Sequence, residues 1–303
     1  MNVKNLKISI IGAGNLGCTL ARYFHQKGNS PLSIISKNQA DLEKISFETL
    51  AVTYGSKIDQ IHRESNLVFI TVPDSEIPAI VKKLTQVLFF DWENVLVVHC
   101  SGALTSSVLS PLSHLGAQIA SIHPIQTFPT KKEATTRFHQ IFWGVEANAE
   151  TFDLAKKIVK YMNGTPVHIS QSAKPIYHIA CVMASNYQVT LMNLAGEALS
   201  SCGLSREDTF EMLSPLVYGT MNNMDKNSLE SSLTGPISRG DIPTVEKHIQ
   251  ELKYQLPHLL PIYCALALET VRVAIRKGTL DSQKATGFNK LLQSAMMESF
   301  KEE

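Results

Sequence analysis

The 303-residue chain has almost no net charge, +1 from 28 basic and 27 acidic residues, and no basic cluster. The electrostatic footprint of a nucleic-acid partner is therefore missing. Cysteine is sparse and unpatterned: Cys18, Cys100, Cys181, Cys202 and Cys264 are odd in number and lack metal-ligand spacing. Buried thiols in a reducing cytosol are expected, rather than disulfides or a metal site. The most apolar late stretch, 257–275, is broken by Glu269 and Arg272, so no membrane span is expected. The N-terminus enters a strand at once and leaves no room for a signal peptide, and a cytoplasmic location is expected. Repeats and low-complexity linkers are absent as well. With 44% hydrophobic and 18% charged residues, the composition is that of an ordinary globular protein, and the length suggests about two domains.

What the chain does have is alternation. Short apolar runs at 7–11, 32–36, 67–72, 95–99, 118–122, 141–145 and 167–169 read as strands. Helical segments at 15–27, 38–47, 75–88, 104–114 and 151–162 lie between them. This pattern predicts an α/β fold: a doubly wound, mostly parallel sheet of Rossmann type with helices on both faces. Strand signals then stop. One long helix over 175–202 is expected, closed by Gly203, and further helices at 205–222, 242–253, 256–277 and 282–300. Asp241 should cap the helix at 242, with Pro243 in its first turn. The organisation expected is a dinucleotide-binding domain over 1–168 and an all-helical substrate and dimerisation domain over 169–303.

The first strand runs straight into Gly12-Ala-Gly14-Asn15-Leu16-Gly17, a G-x-G-x-x-G turn. Gly12 permits the bend, Gly14 admits a pyrophosphate to the backbone, and Gly17 lets the next helix pack closely on the strand. The free N–H groups of that helix then face phosphate. About 20 residues on, NAD enzymes place an acidic side chain on the ribose. Here the residues are Ser36, Lys37 and Asn38, with no carboxylate to repel a 2′-phosphate, so NADP(H) is the expected cofactor. The competing reading of Lys37 is a solvated loop lysine.

Ligands of such sheets gather beyond the carboxyl ends of the strands. Val72 and Pro73 should border the cofactor there, whereas Asp74 reads as a helix N-cap. His99 stands either beside the nicotinamide or in bonds to its own sheet end. Ser101 and His123 are candidate substrate contacts. On the long helix, His178, Ser185 and Asn186 fall in one stripe of about 80° at 100° per residue. Buried polar groups need partners, and a ligand is one such partner. Reduction of a carbonyl or imine needs a proton as well as a hydride. His178 is the expected proton donor, and Ser185 or Asn186 the hydrogen-bond donor to the reacting oxygen. Lys174, one turn earlier, is either a second acid or a surface lysine at the helix start.

Four segments carry a resemblance. They are His99-Cys-Ser-Gly102, Ser121-Ile-His-Pro-Ile-Gln-Thr-Phe128, Tyr177-His178 through Ala184-Ser-Asn-Tyr187, and Leu233-Thr-Gly-Pro-Ile-Ser-Arg-Gly-Asp241. They resemble the motifs of a family that joins a Rossmann-like domain to a helical domain of unknown function, the DUF2520 class of NADP-oxidoreductase-like proteins. The resemblance covers nearly the whole chain. It implies an architecture like pyrroline-5-carboxylate reductase or the C-terminal part of 6-phosphogluconate dehydrogenase, dimeric through the helical domain. Some members are similar to an alternative class of ketopantoate reductases. A hydride transfer from NADPH to a small 2-oxo acid or imine is thus expected. The alternative is a non-catalytic NADP(H)-binding sensor or scaffold dimer. In related hydroxyacid dehydrogenases a lysine stands one turn before the asparagine on this helix, where this chain has Val182. Arg239 either clamps a substrate carboxylate or forms an ion pair beside a tight turn.

Overall fold

The computed structural model describes residues 5–46, 48–132 and 135–300. The chain divides into two compact units, 1–184 and 185–303. The sequence reading sets its boundary earlier, at 168/169.

In the first unit eight strands form one sheet: β1 Ile8–Ile11, β2 Ser33–Ile35, β3 Thr53–Gly55, β4 Leu67–Ile70, β5 Leu96–His99, β6 Gln118–Pro124, β7 Phe142–Ala147 and β8 Thr165–His168. Their order is β3-β2-β1-β4-β5-β6-β7-β8. Every pairing is parallel except β6 with β7. The expected fold class is therefore present. All expected strands appear, and β3 is additional. It is only three residues long and two of them are partly exposed, so it carries no apolar run that a pattern search could find.

The central strands β1, β4 and β5 are buried on both faces, and alternation divides their side chains between two cores. Ile8, Ile10, Leu67, Phe69, Leu96 and Val98 face one side, with Phe24 and Trp143. Ile11, Val68, Ile70 and Val97 face the other, with Ile77, Ile80 and Leu84. Each such side chain contributes roughly 1.5–3 kcal/mol when fully buried. The buried hydroxyl of Ser9 is satisfied by Ser33 and Ser65, at 2.5 and 2.6 Å.

The helices of this unit are α1 Asn15–Gln26, α2 Gln39–Ser46, α3 Ile77–Leu84, α4 Ser110–Ser113, α5 Ala149–Tyr161 and α6 Lys174–Ala184. The helix expected at 38–47 ends on a residue, 47, that lies outside the described ones. Those expected at 75–88 and 104–114 are shorter, each preceded by a 3₁₀ turn. Pro78 and Pro111 sit in the first turns of α3 and α4, and proline's fixed φ and missing N–H favour a helix start there. Asp74 does not cap: its side chain instead accepts from Ser101 Oγ at 2.6 Å.

The second unit is helical: α7 Asn186–Ser201, α8 Thr209–Lys226, α9 Pro236–Arg239, α10 Ile242–Gln255, α11 Leu260–Lys277 and α12 Ser282–Ser299. The single helix expected over 175–202 is two. Ser185 has φ −123° and ψ −69°, outside the helical region, and the chain breaks into α6 and α7 at that residue. Serine and asparagine bond readily to nearby backbone, and a Ser-Asn pair therefore favours a helix start over a helix interior. Asp241 caps α10 as expected, accepting from Thr244 N at 3.2 Å and Thr244 Oγ1 at 2.7 Å. The stretch Pro257–Lys277 is, by length and composition, apolar enough to cross a membrane despite Glu269 and Arg272. One face of it, Leu260, Cys264, Ala267, Val271 and Ala274, is buried in a core shared with Val245, Phe288 and Leu292.

Candidate functional site

The glycine turn after β1 has the geometry its spacing predicts. Gly12 has φ +109°, and a Cβ there would lie 2.9 Å from the Thr71 carbonyl carbon. A Cβ at Gly17 would stand 1.9 Å from the Gly12 carbonyl oxygen. Gly14 differs, since the nearest atom to its missing Cβ, Thr71 O, is 3.9 Å away. So Gly12 and Gly17 are glycine for the fold, while the open space at Gly14 is room for a ligand. No side chain caps α1, and its first N–H groups remain available to phosphate. The Asn15 amide turns away to donate to Phe128 O at 2.8 Å, and Leu16 packs on the core, so both can meet a phosphate only through backbone.

Beyond the turn lies a cavity of about 560 Å³ lined by Gly12, Gly14, Ser36, Lys37, Val72 and Pro73 among others. Ser36 Oγ accepts from Asn38 N, and the Asn38 side chain accepts from Asp41 N, so both brace the start of α2. Lys37 is exposed and pairs with Glu76 at 2.7 Å. Lys57 and Lys83 line the same cavity. Sequence reasoning missed both. Lys57 follows β3, the strand that went unrecognised, and Lys83 reads as an ordinary helix lysine.

Toward β5 and β6 the loops are tied together. Thr71 Oγ1 donates to Gly12 O at 2.7 Å, and Ser101 Oγ joins Asp74 beyond β4 to the turn beyond β5. His99 is fully buried: Nε2 meets Thr105 O at 3.1 Å and Nδ1 accepts from Ser101 N at 3.2 Å. Both nitrogens are spent inside its own loop, which corrects the cofactor-contact reading in favour of the structural one. Burial holds its imidazole down at about 4, and it stays neutral.

Gly102 is the point of convergence. A Cβ there would come within 2.5 Å of His178 Nδ1 and 3.0 Å of His123 Nε2. The two rings stand 6.0 Å apart, edge to face. Tyr177, beside His178 on α6, holds His123 Nδ1 through its hydroxyl at 2.7 Å. Burial raises the phenol's pKa well above its usual range, so the hydroxyl keeps its proton to donate. With that hydroxyl donating to Nδ1, the single proton of a neutral His123 stands on Nε2. His178 Nδ1 is buried with no partner.

Lys174 underlies this arrangement. It is 1% exposed, and its ammonium donates to Ser101 O at 2.7 Å and Ser121 Oγ at 2.5 Å. The surface-lysine reading is thereby overturned. Burial pushes its pKa down from 10.5 to about 8, against the opposing pull of Glu146, Cys100 and Asp74. Glu146 is itself buried, accepting from Ser106 N and Ser106 Oγ. Tyr177, Ser121 and Gly102 went unassigned in the sequence, although Lys174, Tyr177 and His178 share the i, i+3, i+4 spacing of one helix face.

The remaining candidates belong to the second unit. Ser185 ends the break before α7, and Asn186 begins it, so the stripe expected to continue from His178 is not one helix face. Arg239 lies exposed on α9 between Gly235 (φ +99°) and Gly240 (φ +73°), with no ion pair among the described residues. The five cysteines are free, and among the described residues no group of metal-binding side chains occurs.

A mostly parallel sheet with a glycine turn after its first strand, read together with these converging loops, defines a dinucleotide-type Rossmann unit followed by a helical unit. Residues 1–124 match the Rossmann-like domain family, and residues 141–270 match the domain of unknown function DUF2520. The two matched stretches follow one another along the chain. Among curated proteins none matches it significantly. Among solved structures, a Bacteroides fragilis protein given as a candidate NADP oxidoreductase is 22% identical, over 89% of this chain and 100% of that one, with a TM-score of 0.73. The Thermotoga maritima protein TM1727 is 24% identical over 96% and 98%, with a TM-score of 0.65. A Plasmodium falciparum pyrroline carboxylate reductase with NADP bound is 15% identical over 96% and 99%, with a TM-score of 0.59. At these identities the likeness is one of fold.

Proposed function

We propose that the protein is an NADP(H)-dependent reductase acting on a small 2-oxo acid or cyclic imine. The observation that carries the reading is the convergence of His123 and His178 on Gly102, at the strand ends that also form the glycine cradle. The cradle fits a pyrophosphate at Gly14, the one turn glycine with open space, and Lys37, Lys57 and Lys83 supply cations for a 2′-phosphate. The solved neighbours support the cofactor, since the Plasmodium enzyme has NADP bound and a Myxococcus stipitatus imine reductase is in complex with NADP+.

A reduced nicotinamide supplies hydride when bound. As the imidazolium, His178 gives one proton to the reduced oxygen or nitrogen, is left as the neutral ring, and takes its next proton from solvent. Ser185 and Asn186 as hydrogen-bond donors to the reacting group, and Arg239 as a clamp for a substrate carboxylate, enter the proposal by residue type alone, since all three belong to the helical unit. The proposal includes a homodimer formed through the helical unit and a cytoplasmic setting. Supporting the dimer, α7 buries only Gly196 and α8 only Thr209, leaving Val189, Phe210, Leu216 and Tyr218 exposed. The five unpaired cysteines support the setting.

The test is NADPH oxidation, followed by absorbance, across a panel of 2-oxo acids and cyclic imines. Turnover that drops at least tenfold in His178→Ala, with an unchanged unfolding temperature, supports the assignment. Tight NADPH binding with no turnover of any panel member overturns it in favour of a non-catalytic sensor.

A further inference from the structure

The reductase reading leaves one expensive feature unused: a lysine with its ammonium sealed from water and, among the described residues, bonded to Ser101 O and Ser121 Oγ rather than to a carboxylate. Burying an ammonium without such a partner is costly, so its retention calls for a reason. The position supplies one. Through Ser101 O the ammonium grips the turn whose next residue, Gly102, is the floor under both histidines. Through Ser121 Oγ it sits on the same face of β6 as His123, because alternate strand residues share a face. On α6 it is one turn before Tyr177 and His178, which close the site from the other side. One cation thus joins the three elements that position the imidazoles.

We propose that Lys174 is the positioning residue of this site, pinning the Ser101–Gly102 turn to β6 and disfavouring a second positive charge on that face, so that His123 meets the substrate as an uncharged Nε2–H donor. The inference rests on the reductase reading for the identity of the substrate group, a carbonyl oxygen or imine nitrogen. A neutral imidazole donates a hydrogen bond there without competing with His178 for the role of acid, and the two histidines take separate tasks.

The charged and titratable surroundings agree. Burial, then Lys174, then His178 and His99 oppose a charge on His123, with Asp74 pulling the other way, and its pKa is held at about 4. Tyr177 meets the ring only as a neutral hydroxyl. Around Lys174 itself stand Glu146, Cys100 and Asp74; the Cys100 thiol is pushed up to about 12 by burial and carries no charge.

The experiment is an NMR titration of the histidine side chains in the full-length protein without substrate, comparing wild type, Lys174→Met and Lys174→Arg. In wild type, His123 is expected as the Nε2–H tautomer at pH 7, with a protonation midpoint well below that of an exposed histidine. Lys174→Met should raise that midpoint by about one unit, the scale of a nearby like charge, while Lys174→Arg keeps it low. A wild-type His123 that is charged at pH 7, or protonated on Nδ1, overturns the proposal without any variant. A midpoint unmoved in a folded Lys174→Met also overturns it; should that variant not fold, Lys174→Gln, which is uncharged but can still donate to Ser101 O, is read by the same criterion. These readouts involve no turnover. A protein that reduces no panel substrate would defeat the proposed function and leave the titration to decide the role of Lys174.

Discussion

Gly14 and Gly17 look alike in the sequence but have opposite reasons for being glycine, and alanine separates them. At Gly17 the added Cβ would stand 1.9 Å from the Gly12 carbonyl oxygen, where ordinary contacts begin near 3.5 Å, so α1 must retreat from β1 by about 1.5 Å. The obstacle is backbone and cannot rotate aside. Overpacking of this kind costs roughly 1–3 kcal/mol or more. At about 3 kcal/mol the unfolding temperature of a unit this size should drop by roughly 6–12 °C. At Gly14 nothing approaches nearer than 3.9 Å, and φ −75° with ψ −170° suits alanine. Gly14→Ala should therefore be neutral or stabilising by about 0.4–1 kcal/mol, through the unfolded chain. Its Cβ occupies the space a pyrophosphate needs. Losing one or two charge-assisted hydrogen bonds at about 1.5–3 kcal/mol each weakens NADPH binding by at least tenfold. Thermal unfolding and NADPH fluorescence titration measure the two effects. Unchanged NADPH affinity in Gly14→Ala would refute the phosphate assignment, and an unchanged melting temperature in Gly17→Ala would refute the packing argument.

Lys37→Glu replaces an exposed ion pair with Glu76, worth about 0–1 kcal/mol, by an exposed like-charge pair of similar scale, so stability should fall only slightly. NADPH affinity should fall at least tenfold more than NADH affinity, and equal losses would remove Lys37 from the 2′-phosphate. Because the Lys174 pKa is depressed from 10.5 to about 8, the unfolded chain binds the extra proton between these values. The stability this group contributes is then complete above pH 10.5 and lost as pH falls through 8. Relative to Lys174→Met, wild-type stability in urea should rise over that interval by at most about 3 kcal/mol, and a flat difference contradicts the buried charge. Sedimentation should show a dimer, and Leu216→Glu with Tyr218→Glu on α8 should shift it to monomer; a wild-type monomer at micromolar concentration would oppose the interface reading.

The fold was legible where the cause is local. Runs such as Leu96-Val97-Val98 announce strands buried on both faces, and Asp241 before Ile242-Pro243 announces a capped helix. The strand β3 and the break at Ser185 were not legible. The first is too short to carry a period, and the second is a backbone choice at a residue that neighbouring apolar positions mask. Of the site, His123 and His178 were nominated by residue type and position at strand or helix ends. His99 was nominated on the same grounds and is a structural residue, because only the folded loop shows that Thr105 O and Ser101 N already engage both nitrogens.

By itself the sequence determined seven of the eight strands, the glycine turn and the absence of a carboxylate just after β2, since each depends on residues adjacent or a few positions apart. The tertiary structure alone decided that Lys174 is sealed rather than solvated, and that two histidines share one glycine. Those facts depend on Ser101 and Ser121, which lie 73 and 53 residues from Lys174 in the chain. Burial is set by what packs around a side chain, and no local pattern states which distant backbone will arrive there.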